Sequence, residues 1–260
     1  EDIYTKNTFA TDDLPSFHFM YNSDSIISML TDQNGASLQK YSFENPDRIE
    51  TILDSRNLEE INSFDSYQFS SDESKIIVGT NSQKIFRRSS RADFYVYDRL
   101  TKRLSRIAAY KIQEPLFSPD GSKVAYAFEN NLYVKDLISG KTTQITSDGQ
   151  VNKIINGITD WVYEEEFYFV RAFEWNTGSD KIAFIRFDES EVPEFAMDMY
   201  GNELYPGQMV FKYPKAGEKN SEVSLHLYDL ETAKSSKLDL GNNLQHYIPG
   251  IQWSNDPNTL

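Results

Sequence analysis

The chain has 260 residues and a mass of 30.0 kDa, with 40 acidic against 26 basic side chains, a net charge of −14 and a sequence pI of about 4.7. A surface that acidic repels phosphate backbones, which excludes nucleic acid as a partner. The lack of cysteine removes disulfides, thiolate catalysis and zinc–thiolate sites, and no apolar run approaches the roughly eighteen residues of a membrane helix.

The opening Glu1-Asp2-Ile3-Tyr4 has neither an initiator Met nor a basic-then-apolar leader. A processed or trimmed chain is expected, with any signal peptide gone, and with it an exported protein of the bacterial periplasm or cell envelope. Aromatic residues make up 14% of the chain, a balance that favours pleated, half-buried strands.

A repeat then runs along the sequence: an aromatic residue, a short polar turn, and a return to apolar residues seven positions on. Phe19 leads to Ile26, Phe69 to Ile76, Phe117 to Val124, Trp175 to Ile182 and Trp253 to Leu260. Phe117-Ser118-Pro119-Asp120-Gly121-Ser122-Lys123-Val124 is the cleanest copy. Its Pro-Asp-Gly centre supplies a fixed φ, a side-chain acceptor and a permitted positive φ, so it joins two strands into a hairpin. A second signature closes one alternating strand and opens another at Tyr97-Asp98-Arg99-Leu100-Thr101, Lys135-Asp136-Leu137-Ile138-Ser139 and Tyr228-Asp229-Leu230-Glu231-Thr232. Two hairpins per unit make a four-stranded antiparallel sheet. The aromatics are spaced by 50, 48, 58 and 78 residues, against roughly 40–50 for a propeller blade.

The fold class is therefore all-β: the N-terminal part of a β-propeller of four-stranded antiparallel blades. A β-sandwich is the rival, but it has no reason to repeat a two-hairpin unit. The last copy stops at Leu260, so the ring is expected to be incomplete in this chain.

The two long intervals carry insertions. The first contains Asn156-Gly157-Ile158-Thr159-Asp160-Trp161-Val162-Tyr163-Glu164-Glu165-Glu166-Phe167. Thr159 or Asp160 can cap a short helix, with Glu164 to Glu166 expected at its surface. An acidic triplet is ordinarily a solvated face. This one is wrapped by Trp161, Tyr163, Phe167, Tyr168 and Phe169; adjacent carboxylates among aromatics repel and lose solvation, and a cation would complete them.

These residues carry a resemblance. The stretch from Asn156 to Glu166 resembles the substrate-recognition motif of the dipeptidyl peptidase IV family of serine exopeptidases. Asp188-Glu189-Ser190-Glu191-Val192-Pro193, followed by Tyr213-Pro214-Lys215-Ala216-Gly217, is similar to that family's propeller insertion. Phe86-Arg87-Arg88-Ser89, leading to Tyr95-Val96-Tyr97-Asp98, is similar to its arginine-bearing segment. The resemblance implies that Glu165 and Glu166 hold the free α-amino group of a peptide substrate. Arg87 would contact the peptide carbonyl and steady the glutamates, with Arg88 read as a surface charge. Phe169 is bulkier than the small polar residue of some members, and so would narrow preference for the first substrate residue.

The resemblance further implies a serine-type dipeptidyl peptidase that releases X-Pro or X-Ala dipeptides from peptides with a free N-terminus. Its Ser, Asp and His would come from a C-terminal α/β-hydrolase domain outside this chain. No cofactor is implied, and a homodimer is expected through an arm over Glu189–Asn220. A tripeptidyl peptidase with a longer reach and a non-catalytic interaction propeller are the alternatives.

No two of the twelve glycines lie four apart, so a Gly-x-Ser-x-Gly nucleophile elbow does not occur here. His18, His226 and His246 show no metal-ligand spacing, and Asp120-Gly121 lacks the remaining ligands of a calcium loop. Trp175 and Trp253 occupy the repeated blade position, where core packing is expected.

Overall fold

The computed structural model describes residues 5, 6, 8, 9, 17–21, 24–45, 47–241 and 246–260. The trimmed-start reading of Glu1 to Tyr4 falls outside them. Two compact units divide at Asp65.

The first unit holds one antiparallel sheet of β1 (Phe17–Phe19), β2 (Ser25–Asp32), β3 (Gly35–Ser42) and β4 (Ile49–Asp54), paired in chain order. Ile27 and Leu38 are fully buried on it.

The second unit begins with two further sheets of the same kind. One is β5 (Ser66–Phe69), β6 (Lys75–Lys84), β7 (Ser90–Asp98) and β8 (Arg103–Arg106). The next is β9 (Gln113–Phe117), β10 (Lys123–Phe128), β11 (Asn131–Asp136) and β12 (Thr142–Gln144). The third sheet has five strands. Along one edge of β15 (Lys181–Asp188) lie both β13 (Ile154–Asn156) and β14 (Phe173–Trp175). On its other side β18 (Glu222–Asp229) and β19 (Lys234–Lys237) follow. The extra strand departs from the expected four. It arises because the edge of β15 is shared: β14 pairs with Ile182–Phe184 and β13 with Arg186–Asp188.

The sequence repeat is a repeat of geometry. Phe19, Phe69, Phe117 and Trp175 pair across their hairpins with Ile26, Ile76, Val124 and Ile182. In every copy the amide after the aromatic donates to the carbonyl six residues after the aromatic: Met20 to Ser25 at 3.1 Å, Ser70 to Lys75 and Ser118 to Lys123 at 2.9 Å, Asn176 to Lys181 at 3.0 Å, Ser254 to Thr259 at 2.9 Å. Asp72, Asp120 and Gly178 occupy equivalent turn positions, as expected. The residue that follows each is left-handed, with φ of 56° at Glu73, 65° at Gly121 and 62° at Ser179. Gly178 itself is therefore not the left-handed residue of its turn.

The second signature repeats just as closely. Asp98, Asp136 and Asp229 accept the amides of Thr101, Ser139 and Thr232 at 2.8, 2.7 and 2.8 Å. An aspartate that does this holds the chain in a turn without a second strand to help it.

Neighbouring sheets pack face to face. Ile77 and Val96 of one share a core with Phe117, Val124 and Tyr126 of the next. Ala125, Leu132 and Val134 share another with Phe173, Trp175, Ile182 and Phe184. The indole Nε1 of Trp175 donates to the Leu116 carbonyl at 3.3 Å, and that of Trp253 donates to the Glu174 carbonyl at 3.2 Å. Each tryptophan thus bonds the residue just before the aromatic of the preceding copy, so the repeat sets the register between copies as well as within them.

Gly157 shows how tightly this frame constrains the insertion above it. Its φ is +74°, and a Cβ there would lie 2.4 Å from Leu132 Cδ2. Gly157→Ala is expected to cost about 2 kcal/mol or more through strain and overpacking. Thermal unfolding of the full-length protein would show it as a clear fall in Tm; an unchanged Tm would mean that Leu132 yields freely.

Candidate functional site

Two excursions from the blade frame bring the candidate residues together. The hairpin β10–β11 has strands of 6 residues each, whereas β6 and β7 have 10 and 9. The surplus carries the tip from Ile85 to Ser89, which is closed by the Ile85 amide on the Ser89 carbonyl at 3.0 Å and the Phe86 amide on Ser89 Oγ at 3.2 Å. The second excursion leaves β13 after Asn156 and returns at β14. Its base is clipped where the Thr159 amide meets the Val170 carbonyl and the Ala172 amide meets the Gly157 carbonyl, each at 2.9 Å.

Between the clips lies helix α1 (Trp161–Glu166). Of the two possible caps, Asp160 performs the role: its Oδ1 accepts the Tyr163 amide at 2.9 Å. Tyr163 is buried against Phe167 and Phe187, with ring centroids 4.8 Å apart in both pairs, and its hydroxyl accepts the Ile248 amide at 3.0 Å. Residues 160, 163, 164 and 167 thus point inward at helical spacing, and 165 and 166 fall on the outer face.

That periodicity divides the glutamate triplet, which is not uniformly at the surface. Glu164 is 1% exposed. Its Oε1 accepts the amides of Arg88 and of Ser89, the latter at 2.8 Å. Glu165 is half-buried and pairs with Arg87, whose Nε lies 3.2 Å from Oε1 and 3.1 Å from Oε2. Glu166 is exposed and makes no ion pair or side-chain hydrogen bond among the described residues. The structure therefore joins Arg87 to Glu165 and leaves Glu166, one position on, with its carboxylate open to solvent.

Arg88 is exposed, as expected of a surface charge, but it has partners of its own. Its Nε donates to the Glu164 carbonyl at 3.1 Å, and its guanidinium lies 4.4 Å from the centre of the Tyr168 ring. Tyr168 is left-handed at φ 63°. Phe169, expected to narrow the site, packs edge-on to Tyr163 at 6.0 Å and against the core.

The arm from Glu189 to Asn220 leaves the sheet as expected. Its hairpin pairs β16 (Glu194–Met199) with β17 (Gly207–Lys212), and Tyr200, Leu204 and Tyr205 at the tip are exposed. At its base Phe211 is buried between the two excursions, with its ring 5.5 Å from Phe86 and 6.1 Å from Trp161. A cavity of about 730 Å³ lies there, lined by Phe86, Trp161, Glu189, Met209, Phe211 and Lys212 among others; Arg87, Glu165 and Glu166 do not line it.

Two buried carboxylates stand beside that cavity. Asp160 Oδ2 accepts the Ser221 hydroxyl at 2.5 Å, and burial still pushes its pKa up. Burial, together with the Asp160 charge, pushes Glu189 up to about 7 against the pull of Lys212. Neither was singled out as a site residue from the sequence, nor was Glu164. For Asp160 and Glu164 the helical spacing was an available signal; for Glu189, where the arm leaves the sheet, no local pattern gave one. His226 stacks on Phe184 at 5.3 Å and bonds Ser224 Oγ at 2.9 Å. No group of His, Asp and Glu with metal-site geometry occurs among the described residues.

Comparison with known proteins places this geometry in context. Residues 70–260 match the family model described as the dipeptidyl peptidase IV (DPP IV) N-terminal region. The fold is similar to the crystal structure of Porphyromonas gingivalis dipeptidyl peptidase 4, with a TM-score of 0.90 and 33% identity, covering 99% of this chain and 37% of that one. A putative dipeptidyl aminopeptidase of Schizosaccharomyces pombe is 33% identical over 213 residues, which is 76% of this chain and 27% of that protein. Prolyl endopeptidase FAP of Homo sapiens is 36% identical over 182 residues, 69% of this chain and 24% of that protein. The chain thus spans about a quarter of the length of these curated relatives.

Glu189 gives the region a pH signature. Below its ordinary value of 4.5 both folded and unfolded states hold the proton. Between 4.5 and about 7 the folded protein keeps it while the unfolded chain releases it. Stability is therefore lost as pH rises through that window, by at most about 3 kcal/mol. Glu189→Gln removes the loss, so the Tm of the variant relative to wild type should climb steadily across the same window. A difference independent of pH would show that Glu189 is already ionised in the fold.

Proposed function

The chain belongs to the dipeptidyl peptidase IV family as part of its N-terminal region, and from that premise we propose that it is the substrate-recognition propeller of a serine-type dipeptidyl peptidase. The observation that carries the reading is the Arg87–Glu165 pair beside the open carboxylate of Glu166. Arg87 is 73% exposed at its side chain. An ion pair with one partner so exposed adds little to stability, so its value lies in where it holds the carboxylate.

An exopeptidase must count residues from a chain end, and the terminal ammonium is the mark that end carries. Carboxylates of Glu165 and Glu166, held at a fixed distance from a nucleophile, turn that charge into a ruler. Charge-assisted hydrogen bonds make a peptide without a free amine a poor substrate. Arg87 keeps donors in excess of those its contact with Glu165 uses, and these are available to a peptide carbonyl.

The catalytic Ser, Asp and His belong, in this reading, to a C-terminal α/β-hydrolase domain of the same protein. The full-length protein is exported and acts on peptides with a free N-terminus. It dimerises through the arm whose tip exposes Tyr200, Leu204 and Tyr205. Removing residues 200–206 should then convert a dimer to monomers in sedimentation; a dimer that survives the deletion would refute that role of the arm.

The clamp is tested with a free-amine dipeptidyl substrate and its N-acetylated twin. A peptide's α-amino group titrates near ~8, so kcat/KM should fall as the pH rises past that value and the ammonium is lost. Losing one carboxylate removes a charged hydrogen bond worth about 1.5–3 kcal/mol. Glu165→Gln or Glu166→Gln should therefore lower kcat/KM for the free amine by about tenfold to a hundredfold, with kcat falling as well as KM rising. If the wild type cleaves both substrates equally well, the amine clamp does not exist.

A further inference from the structure

The proposed clamp is built from two excursions that begin in different sheets. Arg87 belongs to the hairpin tip between β6 and β7, and Glu165 to α1, 78 residues further on. Their direct contact is solvent-exposed, and exposed pairs hold long side chains in one geometry poorly. Something drier must hold the two backbones together if the guanidinium is to stay in place.

Glu164 is the group that can do so. It is the most buried member of the triplet, at 1% exposure. Its carboxylate receives two backbone N–H groups from the hairpin tip, those of Arg88 and Ser89, and both come to the same oxygen, Oε1. In the other direction, the Arg88 guanidinium donates to the Glu164 backbone carbonyl at 3.1 Å and covers Tyr168. The tip and the helix are thus bonded reciprocally, through the two residues that immediately follow Arg87 and the one that immediately precedes Glu165. A buried carboxylate without partners is costly, so the tip amides and Glu164 hold one another in a single arrangement. That arrangement fixes where Arg87 emerges.

We infer that Glu164 is the positioning residue of the amine clamp, acting through the backbone of Arg88 and Ser89 to set Arg87 against Glu165. The inference rests on the clamp reading above. It gives the triplet a division of labour in which the first glutamate binds protein and the other two bind substrate.

The test is a mutant cycle in the full-length enzyme. It measures kcat and KM for a free-amine dipeptidyl chromogenic substrate, with Tm recorded for each variant. Glu164→Ala should lower kcat/KM on the order of tenfold, because a small misplacement of a positioning group is amplified in turnover. In an Arg87→Ala background the same change should cost less than about twofold, since two residues that act through one contact are not additive. Glu164→Gln keeps an oxygen acceptor for both amides and should recover most of the loss. If Glu164→Ala does not fold, Glu164→Asp takes its place: it keeps the charge, falls one methylene short of the amides, and should show the same dependence on Arg87. Full additivity with Arg87→Ala, or an undiminished kcat/KM in the folded variant, overturns the inference. Wild-type indifference to N-acetylation would instead overturn the clamp itself, so the two failures are distinguishable.

Discussion

The hairpin turn that follows each repeated aromatic is the constraint on which the rest depends. Its amide-to-carbonyl bond, made at the same two positions in five copies, fixes where the second strand starts relative to the first. A one-residue slip would turn every apolar side chain of that strand to the wrong face. The turns also touch one another: the Asp120 amide donates to Ser179 Oγ at 3.0 Å, and Thr177 Oγ1 donates to the Asn255 carbonyl at 3.3 Å. With the tryptophan indoles bonded to the preceding copy, the copies that begin at Phe117, Trp175 and Trp253 are tied together through both turns and rings.

A stiff frame explains why the candidate residues sit on extensions and not in the sheets. Turn-forming residues are committed to local hydrogen bonds, and inward residues to packing. What remains free to vary is the length of a hairpin or of a loop at a strand edge. The β6–β7 tip and the α1 excursion use those two freedoms, one from each of two sheets, and meet. Phe211 of the arm uses a third, lying against Phe86 of one excursion and Trp161 of the other. The arm therefore closes the back of the same construction whose front carries Arg87 and Glu165.

How much of this could be read beforehand follows from the range of the forces involved. The aromatic turns and the Asp98, Asp136 and Asp229 turns are local, and their sequence signatures mapped onto geometry residue by residue. Asp160 as cap and the Arg87–Glu165 pairing were within reach of local pattern and family resemblance. The role of Arg88 was not, because its partner is the backbone of Glu164, 76 residues away. Strand β13 was equally hidden: Ile154-Ile155-Asn156 becomes a strand only because β15 is long enough to offer it the end that β14 leaves unpaired.

The helix itself explains why an arginine must come from elsewhere. A helix favours negative charge in its first turn and disfavours it in its last. In α1, Glu165 and Glu166 lie at the C-terminal end, and no basic residue of the helix's own lies there. Placed next to each other at the unfavourable pole, the two carboxylates leave a field that favours a nearby cation. Arg87 answers part of it from the long β6–β7 hairpin of another sheet, bonding Glu165 and leaving Glu166 open. A peptide ammonium would answer the remainder, and the C-terminal pole of α1 would favour that cation as well. An extra arginine or lysine within the last turn of α1 would satisfy the same field permanently. In the proposed clamp, the place for an ammonium is kept open because the helix carries no such residue.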